Sequence, residues 1–312
     1  MAAVRKPVLL GLRDAAVQGC PKGPAAWTAS KLGGVPDALP AVTAPGPRCG
    51  GCAEPLALVV QVYCPLEGSP FHRLLHVFAC ARPGCGGGGS GTRSWKVFRS
   101  QCLQVPEKET LNAQDSAPAV AHPVPSGEGL AVHAEVPQFQ PYYICVAEEE
   151  DYGNSVDLEH ARSLLQDYQQ REGVDMEHLL SLCSYSDGDE KYEKTNIKSG
   201  DQTFYKFMKR IAACQEQILR YSWSGEPLFL VCPTSEVSEI PACSGCGGQR
   251  TFEFQLMPAL VSMLSSANLG LAVEFGTILV YTCEQSCWPP NQQTPMEEFC
   301  IIQEDPDEFL FK

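Results

Sequence analysis

A chain of 312 residues is long enough for two domains of ordinary size, each with a hydrophobic core of its own. No stretch approaches the roughly 20 apolar residues of a membrane-spanning helix, and the first residues lack the apolar run of a secretory signal. We therefore expect a soluble protein in a reducing compartment, where closely spaced cysteines are more often metal ligands than disulfides.

The net charge of −14 is unevenly distributed along the chain. Residues 1–103 contain 11 Lys and Arg against 4 Asp and Glu, whereas residues 104–200 contain 6 against 19 and residues 201–312 contain 6 against 14. Most of the molecule would therefore repel a polyanion, and an acidic surface suits a basic partner. An excess of acids also keeps proteins soluble, so both interpretations stay open.

The first unit, residues 1–103, is predicted to be mostly β-strand. Residues 56–63 (LALVVQVY) and 73–78 (RLLHVF) are apolar and partly β-branched, and a turn-rich stretch separates them. They predict a hairpin that turns near Gly68, and residues 95–101 (WKVFRSQ) predict a third strand.

Four cysteines flank this hairpin. Cys49-x2-Cys52 precedes its first strand, and Cys80-x4-Cys85 follows its second. Because the second strand returns to the end where the first began, we expect the two pairs to lie together. Four thiolates are the number that a closed structural zinc site needs.

The middle of the chain is predicted to be a linker followed by an acidic segment. Residues 104–141 contain six prolines and few large apolar side chains, so they cannot bury enough surface to offset the entropy of ordering, and we expect disorder. Residues 142–200 begin with a short strand candidate (YYICV) that we expect to dock on one of the two units. A helix over about residues 155–171 follows.

The acidic segment contains two candidate interaction sites. The first is a run of acids that suits a basic partner: Glu148, Glu149, Glu150 and Asp151. The second has the spacing of a leucine-rich nuclear export signal, a pattern that ordinary amphipathic helices also produce: Met176, Leu179, Leu180 and Leu182.

The last part, residues 201–312, is predicted to be a helix followed by a second β-rich unit. Apolar residues at helical spacing predict the helix over about residues 201–220. Residues 251–257 (TFEFQLM) and 277–282 (TILVYT) predict an outgoing and a returning strand, and residues 258–264 predict a helical turn between them.

The second unit repeats the cysteine pattern of the first. Its four cysteines occupy the same positions relative to the predicted strands: Cys243, Cys246, Cys283 and Cys287. Gln61 and Gln255 each lie twelve residues beyond the first cysteine of their unit. We therefore expect an α+β fold, mostly β, in which two related zinc-pinned, β-rich lobes arose by internal duplication, with the disordered linker and a few helices between them.

Both cysteine sets are predicted to be structural zinc sites, so the chain would bind up to two zinc ions. All four ligands come from the protein, which leaves no open position for a substrate. Disulfides, or the loss of metal from one set, are the alternative interpretations. The sequence contains no phosphate loop, nucleophile elbow or carboxylate pair on a periodic element, which predicts a protein that is not an enzyme.

Several long strings at both ends of the chain are specific enough to carry a family resemblance. They are QVYCPLEGSPFHR (61–73), VFAC (77–80), ILRYSWSGEPL (218–228), IPACSGCGGQRTFEFQLMPALVSML (240–264) and FGTILVYTCEQSC (275–287). They resemble the programmed cell death 2 family, whose founding branch has a MYND-type zinc finger between the halves. Residues 103–182 contain a single cysteine, Cys145, so the chain resembles the branch that lacks this finger.

The resemblance implies a role in making the small ribosomal subunit. Proteins of this family escort one basic ribosomal protein, number five of the small subunit in universal nomenclature, and are associated with proliferation control. It thus implies a non-enzymatic chaperone or adaptor in 40S ribosome biogenesis, in both cytoplasm and nucleus. The export pattern adds a nuclear export receptor and pre-40S particles as expected partners, and we expect no direct contact with nucleic acid or membrane.

A second hypothesis is a zinc-finger protein that binds nucleic acid or regulates transcription or the cell cycle. Its support is the positive charge of the first unit, where five basic residues cluster near the predicted strands: Arg73, Arg82, Arg93, Lys96 and Arg99. A general scaffold in proliferation signalling is a third hypothesis, for which no residue argues directly.

Overall fold

Ten antiparallel β-strands form a closed barrel. A computed structural model describes residues 6–18, 26–85, 93–104, 136–153, 199–232, 240–264 and 270–304. The strands are β1 Leu9–Ala16, β2 Lys31–Leu32, β3 Ala57–Tyr63, β4 Phe71–Ala79, β5 Trp95–Leu103, β6 Tyr142–Glu148, β7 Gln217–Tyr221, β8 Arg250–Leu256, β9 Thr277–Cys283 and β10 Met296–Gln303. The helices are α1 Glu149–Gly153, α2 Ser199–Ile211 and α3 Ala259–Leu264, and Ala26–Thr28 forms a 3-10 turn.

Each predicted unit contributes a run of four neighbouring strands to the barrel. Its strand order is β1-β6-β2-β3-β4-β5-β10-β9-β8-β7, and β7 pairs with β1 to close the ring. The first unit supplies β2 to β5 and the second supplies β7 to β10, and β5 and β10 meet where Arg99 faces Met296. The expectation of two lobes is refined here, because the strands of both units share one barrel instead of forming separate sheets.

Both predicted hairpins are present and match each other closely. Strands β3 and β4 pair around a turn at Gly68, whose φ of 72° favours glycine. Strands β8 and β9 pair in the same way, with helix α3 in the connection between them. Each hairpin has a bulge directly after Leu58 or Phe252, and each of these residues lies six positions beyond the second cysteine of its unit.

The predicted helix over residues 201–220 is wrong at its C-terminal part. Helix α2 ends at Ile211, and Gln217–Tyr221 forms strand β7. Ile218 and Leu219 are buried because β7 pairs with β1 on one side and β8 on the other. The sequence analysis also missed β1, β2 and β10, whereas the strand candidate at residue 142 is confirmed as β6, between β1 and β2.

The inner face of the barrel is apolar over most of its length. Valines and leucines that pair across neighbouring strands fill it, such as Val60 opposite Val77 and Leu256 opposite Ile278. Helix α3 adds Leu260, which is fully buried in the same cluster. Strands β3, β4 and β9 are buried on both faces over most of their length, which explains why their sequences are nearly continuous apolar runs.

Charged side chains occupy the remainder of the barrel interior. Arg73 of β4 binds Glu253 of β8 through both carboxylate oxygens, with Nη2 to Oε2 at 2.7 Å, and the two side chains are 1% and 0% exposed. The Tyr221 hydroxyl donates to the same carboxylate at 3.3 Å, and the guanidinium lies 5.1 Å from the centre of the Trp223 ring. This hydrogen bond and the ring contact help to offset the cost of burying two charges.

A second buried ion pair lies at the β5–β10 contact. Arg99 of β5 donates from Nε to Glu298 of β10 at 2.6 Å, and Arg250 of β8 donates to the other oxygen of Glu298 at 3.0 Å. Lys96 and Glu297 form an exposed pair beside it. Cations of the first unit are therefore joined to acids of the second at three places.

Several predictions fall on residues outside the described ranges. They are most of the linker, at residues 105–135, and the helix at 155–171. The last residues of the predicted disordered linker are ordered instead, since Phe139 is 1% exposed in the barrel core and its carbonyl accepts a hydrogen bond from the Gly34 N–H. Within the described residues, no helix combines the length and the apolar composition that a bilayer-spanning segment requires.

Replacing Arg73 with Met should destabilise the barrel, because Glu253 is then buried without its cation. We expect the free energy of unfolding to fall by about 3–5 kcal/mol. The matched control is Lys96→Met. The side chains of Lys96 and Glu297 are 30% and 51% exposed, so this ion pair should contribute less than about 1 kcal/mol. Urea unfolding followed by tryptophan fluorescence measures both, and equal effects of the two substitutions would contradict a role for the buried pair in holding the barrel.

Candidate metal centres

The four cysteines of the first unit converge at the base of the β3–β4 hairpin. Cys49 and Cys52 precede β3, and Cys80 and Cys85 follow β4, as the sequence predicted. The Sγ atoms of Cys49 and Cys85 are 3.6 Å apart, as are those of Cys52 and Cys80, and all four lie within 4.8 Å of one another.

The backbone between Cys49 and Cys52 folds into a tight turn that aims both sulfurs inward. The Cys49 carbonyl accepts a hydrogen bond from the Ala53 N–H at 2.9 Å, and the Gly51 N–H donates to the Cys49 sulfur at 3.3 Å. Such N–H donors stabilise the charged thiolate form of cysteine.

The second unit builds the same arrangement at the base of the β8–β9 hairpin. The sulfurs of Cys243 and Cys287 are 3.6 Å apart, as are those of Cys246 and Cys283, and all four again lie within 4.8 Å. The turn also repeats, since the Gly247 N–H bonds to the Cys243 carbonyl at 2.8 Å and the Gly248 N–H donates to the Cys246 sulfur at 3.4 Å.

These distances suit metal coordination better than disulfide bonding. A disulfide requires sulfurs about 2.05 Å apart, and all eight thiols are free. A tetrahedral ion with metal–sulfur bonds of about 2.3 Å places neighbouring sulfurs about 3.8 Å apart, close to the observed separations. Each set could therefore hold one metal ion.

The protonation of the thiols supports the same conclusion. A backbone hydrogen bond from Glu54 lowers the pKa of Cys52 to about 7. Burial acts to raise the pKa of Cys243, but backbone hydrogen bonds from Cys246 and Gly245, together with hydrogen bonds from the thiols of Cys287 and Cys283, outweigh it and the pKa falls to about 7. Burial and the neighbouring thiols raise the pKa of Cys80 and of Cys287. One thiol of each set thus ionises near neutral pH, and a cation would offset the repulsion that opposes ionisation of the others.

The two sites differ in what surrounds them. The first site bonds mostly within its own unit, where Gly50 N–H donates to the Arg93 carbonyl and Cys80 N–H donates to the Ser94 carbonyl, both at 2.9 Å. The Ala81 carbonyl beside Cys80 also accepts a longer hydrogen bond, at 3.4 Å, from the Ala272 N–H of the second unit. The second site contacts strands of the other unit. Its Cys287 carbonyl accepts a hydrogen bond from Arg99 Nη1 at 2.9 Å.

Ser286, beside Cys287, extends this contact between the units. Its hydroxyl accepts from Arg73 Nε at 3.2 Å and donates to Gln101 Oε1 at 2.8 Å, and its carbonyl accepts from Gln101 Nε2 at 3.3 Å. The loop that carries two ligands of the second site therefore rests on strands β4 and β5 of the first unit.

The four acids predicted to bind a partner have different environments. Glu149 is engaged inside the molecule, where its carboxylate binds Arg210 of α2 and Arg220 of β7. Glu148, Glu150 and Asp151 are exposed. Their contact with a partner stays a prediction, and the four export-signal candidates lie outside the described residues.

The residues that join the two units were not predicted from the sequence. Arg73 and Arg99 were part of the basic cluster that supports the nucleic-acid hypothesis, yet both lie on strand positions that face the barrel interior. Their position within apolar strands was an available signal, because a charge at an inward position is almost always paired. The identity of the partners, Glu253 and Glu298, depends on strand pairing over about 200 residues of chain.

Comparison with known proteins places the chain in a family. The family model for the N-terminal domain of programmed cell death protein 2 matches residues 8–115, and that for its C-terminal domain matches residues 201–304. Programmed cell death protein 2-like of Mus musculus is 72% identical and that of Homo sapiens is 66% identical, each over 100% of both chains. The chain belongs to the programmed cell death 2 family.

This membership confirms the resemblance found in the sequence, while the lack of a MYND finger stays a prediction. A more distant relative of the family comes from Schizosaccharomyces pombe and is named as a 20S rRNA accumulation protein. It is 27% identical, over 63% of this chain and 52% of the relative. No solved structure matches the chain.

Loss of metal from the second site should loosen the contact between β5 and β10, because Cys287 and Ser286 would no longer be held against β4 and β5. In hydrogen exchange measured by mass spectrometry, we expect Cys243→Ser to speed exchange at Met296–Gln303 by about tenfold, equivalent to about 1.4 kcal/mol. The matched control, Cys49→Ser, removes the equivalent ligand of the first site. If both variants accelerate exchange at β10 equally, the second site has no special role at this contact.

Proposed function

We propose that this protein is a non-enzymatic escort in the biogenesis of the small ribosomal subunit. Its cargo would be a basic ribosomal protein, number five of the small subunit in universal nomenclature. The observation that carries the proposal is family membership together with a relative whose name refers to 20S rRNA. The eight clustered cysteines fit a scaffold, since four protein ligands leave no coordination position for a substrate.

The distribution of charge supports a basic cargo. The formal charge is −14, and three of the eleven Lys and Arg residues of the first unit are paired with acids of the second. Arg73 and Arg99 are buried against acids of the second unit, and Lys96 is paired with Glu297. Each pair also takes up one acid of the second unit, so the excess of acids in the whole chain is unchanged while the surface of the first unit is less basic than its composition suggests. The remaining acidic excess favours association with a basic protein.

The same ion pairs weaken the nucleic-acid hypothesis. Of the five basic residues that supported it, only Arg82 and Arg93 are exposed in the described part of the chain without a salt bridge there. Phosphate recognition needs several accessible cations on one face. Binding to a basic protein needs no accessible cations.

We infer that the metal is zinc and that both sites are structural. Zinc prefers tetrahedral coordination, and a set of four thiolates is one of its ordinary structural ligand sets. When bound, each ion would fix the base of one hairpin.

We also infer that the two units arose by duplication. The hairpins, cysteine turns and bulges correspond, and so do two buried glutamines. The amide of Gln61 binds the N–H and side chain of Asp37, and the amide of Gln255 binds the N–H and carbonyl of Leu228. Each glutamine thus bonds the loop that precedes its hairpin to the first strand of that hairpin.

Residence in both cytoplasm and nucleus, with export alongside pre-40S particles, belongs to the same proposal. Its support is the spacing of Met176, Leu179, Leu180 and Leu182 in the sequence.

Native mass spectrometry tests the metal assignment. We expect the purified protein to bind two zinc ions, one for each four-cysteine set. Cys49→Ser and Cys243→Ser should each bind one fewer, and Cys145→Ser, at an exposed cysteine outside both sets, should bind the full number. Absence of zinc with all eight clustered cysteines oxidised would overturn the assignment.

Affinity purification from cells tests the proposed cargo. The tagged protein should recover small-subunit ribosomal protein number five in near-equal amount, and nuclease treatment should not release it because the contact is between proteins. Recovery of no small-subunit ribosomal protein would contradict the escort proposal. Complete loss on nuclease treatment would favour the nucleic-acid hypothesis.

A further inference from the structure

One end of the barrel contains a cavity that the metal sites do not explain. Its volume is about 240 Å³, and its apolar lining comes mainly from strands β1, β6 and β7 and from the residue after β3: Leu9, Cys64, Ile144, Val146, Leu219 and Tyr221. Cross-strand pairing places these side chains on the inner face of the barrel. Leu9 faces Tyr221, which packs against the barrel core, and Gly11 faces both Val146 and Leu219.

Val146 shows that the barrel is not filled at this end. Its side chain lies on the inner face, yet the residue is 63% exposed, whereas Leu219 on the same face is 5% exposed. An apolar inner position that remains in water is a surface from which a ligand can displace solvent.

The size of the cavity limits what can occupy it. A cavity of about 150 Å³ accommodates benzene, so 240 Å³ holds one aromatic or branched aliphatic side chain. Pockets for drug-sized small molecules usually begin at about 300 Å³. The volume thus favours a side chain over a cofactor.

The rim of the cavity is acidic. Glu148 faces Leu9 across the β1–β6 pair, so its side chain lies on the same face as the cavity, and within the described chain it has no ion-pair partner. The N–H of Glu149 bonds to the Val8 carbonyl at 2.9 Å, which fixes the start of α1 at the rim. Exposed Glu150 and Asp151 follow directly.

We propose that this cavity receives one large apolar side chain from a basic polypeptide, whose neighbouring Lys or Arg residues pair with Glu148, Glu150 and Asp151. The proposal rests on the proposed function, since it identifies where the basic cargo docks. The apolar side chain supplies most of the affinity through burial, and the rim charges select a basic sequence around it.

Methyl NMR of the full chain tests the docking site without the ribosomal protein. Three peptides of equal length serve as probes: KKLKK, KKAKK and SSLSS, each acetylated and amidated. KKLKK should shift the methyl signals of Val146, Leu9 and Leu219. KKAKK should bind about tenfold more weakly because it lacks the buried side chain, and SSLSS about threefold more weakly at low salt because it lacks the charges.

Three results would overturn the docking site. The first is the absence of shifts at Val146 and Leu9 with KKLKK at millimolar concentration. The second is equal binding of SSLSS, which would remove the preference for a basic occupant. The third is a change of the Val146 signal with protein concentration alone, which would assign the cavity to a second copy of the chain.

A pair of matched variants links the cavity to the cargo. Val146→Arg places a cation in the cavity, and we expect it to weaken binding of ribosomal protein number five by about tenfold or more. The control, Val35→Arg, makes the same change at a residue that is 57% exposed and does not line the cavity. If the unmodified chain binds the ribosomal protein and both variants bind equally well, the docking site is wrong and the escort role stands. If KKLKK binds at Val146 but the ribosomal protein does not bind, the escort role is wrong and the docking site stands.

Discussion

Pairing of β5 with β10 is the contact on which the rest of the structure depends. A strand at the edge of a sheet exposes unpaired N–H and C=O groups, and neither unit closes a barrel from its own four strands. At β5 and β10 the two edges satisfy each other. The Arg99–Glu298 pair lies at this contact, and its hydrogen bonds make a mismatched register costly, because a shift by one residue would leave both charges buried without partners. The two units are therefore parts of one cooperative barrel.

The cysteine sets act on single hairpins, whereas the β5–β10 pairing joins the two units. Each lies at the base of a hairpin, so a bound ion would fix the relative positions of the two strand ends and of the turn that precedes them. The second set contacts the opposite unit through Ser286 and Cys287, which lie against β4 and β5. The loop of the first set makes a longer hydrogen bond to the opposite unit, from the Ala272 N–H to the Ala81 carbonyl at 3.4 Å, away from the β5–β10 contact. An ion at the first site would stabilise its own hairpin, whereas an ion at the second would stabilise the hairpin and the contact between units. Two sites that look equivalent in sequence thus have unequal consequences for the fold.

The parts of the fold that could be predicted are those specified by neighbouring residues. The two hairpins follow from short apolar, partly β-branched runs separated by turn residues, and the cysteine sets follow from the hairpins, since both strand ends must meet. Strand β7 could not be recognised, because Ile218 and Leu219 fit a helical stripe as well as a strand buried on both faces. The barrel closure and the pairing of Arg73 with Glu253 could not be predicted either. Arg73 and Glu253 are 180 positions apart, and no local pattern specifies which strands pair.

The cavity occupies the place where the barrel departs from its own repeat. The two units contribute equivalent strands, and on one side they meet directly at β5 and β10. On the other side β1 and β6 are inserted between β7 and β2, and neither has a counterpart in the repeat. Gly11 allows β1 to fit closely there, since an added Cβ would lie 3.0 Å from Ile144 Cγ2 and 3.1 Å from Leu219 Cβ. The inserted strands close the ring but leave the inner face near Val146 unfilled, and β6 continues directly into the acids of α1. A symmetrical barrel of two repeats would have neither feature, so the departure from symmetry is what creates a surface suited to binding.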